Sequence, residues 1–266
     1  MEAFGKKEAC HFNLLITKSV PHILEKIFFS LDYESFNKCS EVNTALSELL
    51  SSERSLKLKK NVFGGYVEME LRYALRQGNI PMIRELVSSG IVDVNYMDKV
   101  FGTPLFVAAE RGDTCLVKFL IEKGAEVNMH CEYEITALFN AASNGHSDVV
   151  KMLLDGGAWP DLGESLCLHE AAQYGYIEVL QLLLNSGAKI NAIIPENGLT
   201  PLHIAAIYGQ KDAVKLLLER GADHSVTSLN GYTALTMAQN GGRHTPNYPQ
   251  GQKDVVNVLR QFGVVE

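Results

Sequence analysis

The stretch Thr200-Pro-Leu-His-Ile-Ala-Ala206 carries the strongest structural signal in this chain, because variants of it recur at a near-constant spacing. The other copies begin, in chain order, at Thr103, Thr136, Leu166 and Thr233. Successive copies start 33, 30, 34 and 33 residues apart, by subtraction of the five positions. About twenty residues after the start of each of the first four copies comes a Gly-Ala pair, at Gly124, Gly157, Gly187 and Gly221. A period of this length predicts a chain built from one repeated supersecondary unit.

Each copy predicts a pair of helices. In the copy that starts at Thr200, the threonine suits a helix N-cap, and Pro201 follows at the first helical position, where its missing N–H costs nothing. The next apolar residues recur at i, i+3 and i+4, which gives one buried face: Leu202, Ala205 and Ala206. Gly209 can take a positive φ and is predicted to end the first helix. A second amphipathic helix with inward leucines then runs to Gly221.

The motif and its period resemble the ankyrin-repeat family. The resemblance covers residues 67–266 and implies an all-α solenoid of helix-turn-helix-β-hairpin repeats. It divides this region into about six repeats: 67–98, 99–131, 132–163, 164–196, 197–229 and 230–266. One helix pair cannot bury its own apolar face, so at least three repeats are needed for stability. In the last repeat, residues 243–251 form an insertion, which is either a plain surface loop or a partner contact.

The family also implies a structural role for two histidines of the motif. In ankyrin repeats, the Thr and His of this motif hydrogen-bond each other and tie adjacent repeats together. His203 and His169 are therefore expected to hold the fold rather than to bind a ligand. Cys115, Cys131 and Cys167 are expected to be small packed residues.

The first sixty residues have a different pattern. After a tail at 1–18, residues 19–60 predict a unit of three short helices, of which the first can start at Pro21. This stretch resembles an F-box: Val20-Pro21 stands for Leu-Pro, Ile27-Phe28 for Ile-Phe and Leu31-Asp32 for Leu-Asp. It departs from that family where Cys and Trp are usual, at Asn43 and Leu46. A plain N-terminal cap on the repeats is the alternative interpretation.

The two resemblances together imply the substrate-recognition subunit of an SCF-type E3 ubiquitin ligase. The F-box-like domain would bind the Skp adaptor, which connects to a cullin, and the ankyrin surface would bind the target protein. The expected Skp contacts are Val20, Pro21, Ile23, Leu24, Ile27 and Leu31. One alternative is an ankyrin scaffold or inhibitor without a ubiquitin link, and another is a pathogen effector that borrows the host ligase.

By family analogy, the target-binding surface comprises hairpin tips and exposed positions of the first helices. The residues expected there are Lys99, Val100, Glu110, Arg111, Tyr133, Ile135, Asn144, Tyr174, Asn197, Tyr208, Asn230 and Tyr232. Four of them are tyrosines, and aromatic side chains are enriched among binding hot spots. For any single tyrosine, a solvated or packing role remains an open alternative.

Composition narrows the class of partner. The chain has 266 residues and a formal net charge of −7. Residues 64–266 contain 15 Lys/Arg and 23 Asp/Glu, because nine and eight of the chain's 24 and 31 fall in residues 1–63. An acidic surface repels phosphate backbones, so a protein partner is favoured over nucleic acid.

No motif in the chain predicts a catalytic, cofactor-binding or metal-binding site. There is no phosphate-binding loop, Ser-His-Asp order or metal-ligand spacing, so neither an enzyme nor a cofactor is expected. The five cysteines lack a CxxC pair, which argues against a zinc site or a disulfide framework and favours a reducing compartment. Neither a signal peptide nor a membrane span is apparent, so the expected location is the cytoplasm, alone or together with the nucleus.

Overall fold

The computed structural model describes residues 68, 70–90, 92–98, 102–131, 135–162, 166–240 and 249–264. These residues form twelve α-helices and no β-strand. The chain divides into two compact units, Met1–Asp93 and Val94–Glu266. The predicted F-box-like domain at 19–60 lies outside the described residues, and so do its six expected Skp contacts: Val20, Pro21, Ile23, Leu24, Ile27 and Leu31.

The described part of the first unit is a helix pair. Residues 70–77 form α1, and α2 is Ile80–Ser88. The turn between them contains Gly78 at φ 59°, and Asn79 caps α2 because its side-chain oxygen accepts a hydrogen bond from the Met82 N–H at 3.2 Å. The two helices bury apolar side chains at helical spacing: Leu71, Ala74, Leu75, Ile83, Leu86 and Val87.

The second unit contains five further helix pairs. Its helices are α3 (Pro104–Arg111), α4 (Thr114–Glu122), α5 (Ala137–Ser143), α6 (Ser147–Asp155), α7 (Cys167–Tyr174), α8 (Ile177–Asn185), α9 (Pro201–Ile207), α10 (Lys211–Glu219), α11 (Ala234–Asn240) and α12 (Pro249–Gln261). The odd-numbered helices α3 to α11 form a first row in which each contacts the next, and the even-numbered helices α4 to α12 form a second row. The helices of each pair also contact one another across the rows. This is the predicted arrangement of stacked helix pairs.

Threonine caps start four of the five first-row helices, as the sequence predicts, and the fourth is Thr233, whose side-chain oxygen accepts from the Thr236 N–H at 3.3 Å. Thr103, Thr136 and Thr200 have extended backbones, and each side-chain oxygen accepts a hydrogen bond from a backbone N–H three residues later. The N–H donors belong to Phe106, Phe139 and His203. Leu166 occupies the same position before α7 and has no side-chain oxygen, so that helix starts without a side-chain cap.

Alanine pairs let the first-row helices approach closely. Eight alanines of α3, α5, α7 and α9 are fully buried: Ala108, Ala109, Ala141, Ala142, Ala171, Ala172, Ala205 and Ala206. Leucines of both rows fill the remaining space, and many of them are also fully buried. Burying one such side chain contributes roughly 1.5–3 kcal/mol. The core is therefore continuous along the stack, since every helix shares it with its neighbours.

Asparagine side chains connect successive loops after the second-row helices. The Asn128 amide donates to the Gly157 carbonyl at 2.9 Å, and its oxygen accepts from the Trp159 N–H at 2.9 Å. Asn95 makes the same two hydrogen bonds to the loop after α4. Asp161 occupies this place in the next copy, where its carboxylate accepts from the Lys189 N–H at 3.1 Å. A carboxylate has no N–H, so this connection lacks the donated bond.

A second set of connections links the starts of second-row helices to the preceding helix pair. The His146 Nε2 donates to the Glu110 carbonyl at 2.9 Å, and the Gln210 amide donates to the Gln173 carbonyl at 2.8 Å. The His146 ring lies so close to Gly112 that a Cβ there would fall 2.6 Å from Nδ1. Glycine is required at that turn by this contact and by its φ of 71°.

Two details differ from the sequence-based expectations, and the end of α9 agrees with them. The described β-hairpins consist of isolated bridges, Asp98 with Gly102 and His130 with Thr136, because Thr136 is itself the N-cap of α5 and the chain leaves the extended conformation there. Helix α12 begins at Pro249, inside the insertion predicted at 243–251, since proline is well suited to a first helical turn. Helix α9 ends at Ile207, and Gly209 directly follows its C-cap Tyr208 at φ 71°, where a glycine of positive φ terminates a helix as predicted.

Candidate protein-interaction surface

Side chains at the ends of the first-row helices form a row of equivalent positions. Each lies one residue before a turn glycine: Arg111, Asn144, Tyr174 and Tyr208. Arg111 and Asn144 are exposed, Tyr174 is 51% exposed and Tyr208 is half-buried. Glu110 is also exposed next to Arg111. Because α3, α5, α7 and α9 contact one another in order, these side chains recur along one edge of the stack. We call them the helix-end row.

Tyr174 is held in place by two contacts in series. Its ring stacks on that of Tyr176, with centroids 5.6 Å apart and planes inclined by 25°. The Tyr176 ring in turn lies over Gly145 of the preceding helix pair, where a Cβ would fall 2.8 Å from the ring. The exposed Tyr174 side chain is thus preorganised, which lowers the entropy that a partner must remove on binding.

A carboxylate that the sequence analysis missed lies one turn before Tyr174. Glu170 is half-buried in the first turn of α7, and burial raises the pKa of its carboxyl group. Its side chain has no hydrogen-bond or ion-pair partner among the described residues. The equivalent residues of the other first-row helices are all uncharged: Val107, Asn140, Ile204 and Met237. An alignment of the copies shows that Glu170 departs from the other residues at this position, but it does not show that the Glu170 side chain is half-buried.

The loop tips beside α9 and α11 are fixed by backbone hydrogen bonds. The Leu229 N–H donates to the Asn197 carbonyl at 3.0 Å, which links two neighbouring loops. Leu229 itself is 71% exposed, and Tyr232 and Asn230 of the same loop are exposed as well. Ile193 adds a further exposed apolar side chain near the preceding tip. Leu229 and Ile193 were not among the residues expected from the sequence.

The other predicted tip residues divide into two groups. Ile135 and Asn197 are half-buried: the Ile135 carbonyl accepts from the Cys131 N–H at 3.1 Å, and the Asn197 side chain accepts from the Leu199 N–H at 3.0 Å. These two residues shape the loops by their own bonds. Lys99, Val100 and Tyr133 lie outside the described residues. The structure therefore brings the helix-end row together, and it places Tyr232 and Asn230 on a separate loop.

The single tryptophan lies elsewhere in the repeat. Trp159 follows the Gly-Ala pair after α6 and is 63% exposed. Its equivalents in neighbouring copies are charged: Glu126, Lys189 and Asp223. A lone tryptophan at a position that is otherwise charged was the signal that could have identified this exposed aromatic from the sequence.

The motif histidines are structural, as expected. The Thr200 N–H donates to His203 Nδ1 at 3.1 Å, so the proton of the neutral ring is on Nε2, which donates to the Tyr232 carbonyl at 3.2 Å. His169 Nε2 lies 3.1 Å and 3.2 Å from the carbonyl oxygens of Ala192 and Leu199. Burial lowers the pKa of both rings, which therefore favour the neutral form.

The three described cysteines differ in burial. Cys167 is buried, as expected, and desolvation raises its pKa to about 12, so its thiol stays protonated. Cys115 was expected to be packed but is exposed on α4, because its position faces away from the core. The described residues contain no group of three or more His, Cys, Asp or Glu that could hold a metal ion. Among them, no helix combines the length and apolar character that crossing a membrane requires.

Comparison with known proteins identifies the repeats. The family model "Ankyrin repeats (3 copies)" matches residues 71–164 and 168–262, together well over half of the chain. The palmitoyltransferase AKR1 of Gibberella zeae is 39% identical over 61 residues, which are 23% of this chain and 8% of that protein. The ankyrin repeat-containing protein YIL001W of Saccharomyces cerevisiae is 41% identical over 56 residues, 21% of this chain and 11% of that protein. The similarity thus spans about a tenth of each relative's length.

Proposed function

This chain belongs to the ankyrin-repeat family, and we propose that it is an adaptor whose helix-end row and adjoining loop tips bind a target protein. Ankyrin repeats imply a role in protein-protein interaction. The observation that carries the more specific proposal is Tyr174, an exposed aromatic side chain fixed by Tyr176 and, through it, by the turn at Gly145. Rigid aromatic side chains of this kind anchor protein interfaces.

The full proposed surface includes residues whose part is inferred from the sequence alone. Those supported by exposure or by position in the described residues are Glu110, Arg111, Asn144, Tyr174, Tyr208, Asn230 and Tyr232. Ile135 and Asn197 would hold the loop backbones in shape, and Lys99, Val100 and Tyr133 complete the tips. The 61 residues shared with the palmitoyltransferase are 8% of that protein, so they support no acyl-transfer activity for this chain.

A double substitution tests the target surface. In cells that express the tagged full chain, Tyr174→Ser with Tyr208→Ser should abolish the recovery of at least one partner by affinity purification and mass spectrometry. Tyr73→Ser is a suitable control, because Tyr73 is a similarly exposed tyrosine outside the proposed surface. An unchanged set of partners for the double variant would contradict the proposal.

We further propose that the adaptor is the substrate-recognition subunit of an SCF-type E3 ubiquitin ligase. The support is the order of Val20-Pro21, Ile27-Phe28 and Leu31-Asp32 within residues 19–60. This F-box-like domain, after a tail at 1–18, would bind the Skp adaptor through Val20, Pro21, Ile23, Leu24, Ile27 and Leu31. The repeats at 67–266 would hold the target near a ubiquitin-charged enzyme, which raises its effective concentration there. Such a subunit works in the cytoplasm or the nucleus.

Co-purification with the Skp adaptor tests the ligase link. The adaptor should be recovered with the intact chain and lost after Pro21→Ala with Leu24→Ala. Glu25→Ala with Lys26→Ala is the matched control, because it changes two neighbouring residues outside the expected contacts. Equal recovery with both double variants would leave the alternative, an ankyrin scaffold or inhibitor whose residues 1–60 form only a cap.

A further inference from the structure

We propose that Glu170 and Tyr174 form an anchor site for one positively charged side chain, arginine or lysine, on a segment of the target protein. The inference rests on the proposed function, because it assigns the chemistry of the partner at the centre of the helix-end row. It names an interaction that the repeat motif itself does not require, since the other first-row helices carry no charge at the position of Glu170.

The Glu170 carboxyl group lies half-buried in the first turn of α7. A half-buried carboxylate loses part of its hydration, and the loss is offset when a charged or hydrogen-bonding partner takes the place of water. Among the described residues, Glu170 has no such partner. A cation from another molecule would supply the missing interaction.

Tyr174 lies next to Glu170 on the same helix. It follows Glu170 by four residues on α7, so the two side chains are neighbours on one face of the helix. One face of the Tyr174 ring stacks on Tyr176, and the side chain remains 51% exposed. A cation over the exposed ring face is attracted by the π electrons while the carboxylate pairs with its charge. Carboxylate and ring therefore favour the same ligand.

The charge around the site has the matching sign. Asp161 and Glu170 both act on the Cys167 thiol and raise its pKa together with burial, so both carboxylates contribute negative potential near the start of α7. The Asp161 charge also acts on His169. Residues 64–266 carry an excess of acidic over basic residues. Long-range attraction therefore favours a basic segment over an acidic one.

Glu170 also has a role that needs no partner. An acidic side chain in the first turn of a helix interacts favourably with the N-terminal end of the helix dipole. That role affects stability only, so thermal unfolding of Glu170→Gln measures it separately. Glutamine keeps the size of the side chain and removes the charge. Glu122→Gln is the matched control, because Glu122 is an exposed glutamate of α4 in the second row and its loss changes the net charge equally.

Selection from a random library of twelve-residue peptides displayed on phage tests the inference on the immobilised full chain. Peptides enriched on the unsubstituted chain and on Glu122→Gln should contain arginine or lysine at one recurrent position. The same selection on Glu170→Gln should lose that preference. Enriched peptides that are neutral or acidic would overturn the proposal, and so would a basic preference that persists on Glu170→Gln. The absence of any enriched peptide would overturn it as well.

Affinities of the most enriched peptide then locate the contact. Its Kd should rise about tenfold or more for Glu170→Gln, as for the loss of a charge-assisted hydrogen bond, and stay unchanged for Glu122→Gln. Replacing the basic residue of the peptide by neutral citrulline or norleucine should raise the Kd for the unsubstituted chain by the same factor. The same replacement should leave the Kd for Glu170→Gln unchanged. Full additivity of the two changes would show that they do not interact and would contradict the site.

The two proposals can fail independently. If enriched peptides lose binding on Tyr174→Ser with Tyr208→Ser but show no preference for a basic residue, the interaction surface stands and the anchor site is wrong. If peptides retain a basic preference that depends on Glu170 while the double tyrosine variant binds normally, the anchor site lacks its aromatic component and is likewise wrong.

Discussion

Helices α7 and α9 occupy equivalent places in the first row and differ in how they start. Helix α9 has the Thr200 cap, Pro201 and a capping box with His203, whereas Leu166 gives α7 no side-chain cap. The alanine pairs of both helices are nevertheless fully buried. The difference teaches that the shared core, rather than the capping chemistry of each copy, holds a first-row helix in the stack.

The same two helices differ on their outer side. Where α9 has the buried Ile204, α7 has Glu170, which has no partner among the described residues, and the tyrosine that follows is more exposed on α7 than on α9. Helix α7 thus combines a weaker start with a surface that offers charge and an aromatic ring. The copy without a side-chain cap is thus the one that has the features of a binding site.

The largest expected effect tests whether the pair of α7 and α8 and the pair of α9 and α10 share one core. Leu183 of α8 and Leu217 of α10 are equivalent and fully buried. Leu183→Ala and Leu217→Ala should each lower the free energy of unfolding by about 2–5 kcal/mol, because each removes buried methylenes and leaves a cavity. Urea-induced unfolding followed by circular dichroism gives both values, and the exposed Leu229→Ala is the control. A loss confined to one of the two helix pairs would show that the core is not shared equally.

The next largest effect compares how much the threonine caps of α9 and α5 stabilise the fold. Thr200→Ala should cost about 2 kcal/mol, since it removes an N-cap and the hydroxyl 2.8 Å from His203 Nδ1. Thr136→Ala should cost about 1 kcal/mol, because Thr136 caps only the Phe139 N–H. The same unfolding measurement compares them. Equal losses would mean that the histidine adds nothing to the α9 cap.

A pH series tests the neutral histidines. Burial lowers the folded-state pKa of His169 and His203 below the ordinary value of 6.5, so the unfolded chain binds more protons in acid. Stability from this source is complete above pH 6.5 and is lost as the pH falls through the folded-state pKa values. The free energy of unfolding should therefore decrease as the pH is lowered from about 7.5 to about 5, the range in which histidine titrates.

Substitution shows whether the two histidines cause that decrease. His169→Phe and His203→Phe should each flatten the pH dependence, and phenylalanine already occupies the equivalent positions 106 and 139. The exposed His224→Asn should leave the slope unchanged. A slope that survives both phenylalanine substitutions would assign the acid sensitivity to other groups.

The smallest effect concerns the loop connection beneath α7. Asp161→Asn should raise the free energy of unfolding by about 0.5–1.5 kcal/mol, because the amide can donate to the Gly187 carbonyl as Asn128 donates to that of Gly157. The reverse change, Asn128→Asp, should cost a similar amount. Thermal unfolding resolves differences of this size. A loss of stability in Asp161→Asn would show that the carboxylate is preferred there for another reason, such as its charge near His169.

Much of the fold could be predicted because its causes are local in sequence. The period of the motif, the threonine caps and the apolar residues at i, i+3 and i+4 each depend on neighbours within one turn or one copy. The same holds for the turn glycines, such as Gly209 directly after the C-cap of α9. The start of α12 at Pro249 was missed, since a proline that excludes a helix interior is equally able to begin one.

The candidate surface could be predicted only in part. The equivalent positions before each turn glycine follow from the alignment of the copies, and Tyr174 was found in that way. The sequence gives no indication that Tyr174 stacks on Tyr176, or that Glu170 is half-buried and lacks a partner within the part of the chain that the structure describes. Such properties depend on how closely neighbouring helices approach. The assignment of residues 19–60 to an F-box-like domain stays a prediction.

The sequence by itself determined that this chain repeats one helix pair and stacks it, because periodic apolar residues can be buried only against a neighbouring copy. It also determined the sites of the caps and turns, which residues such as Thr200 impose through their own backbone. Only the tertiary structure decided which outward side chains are fixed, unpaired or exposed. Those properties arise between residues about thirty positions apart, where side chains such as Tyr176 reach the preceding helix pair.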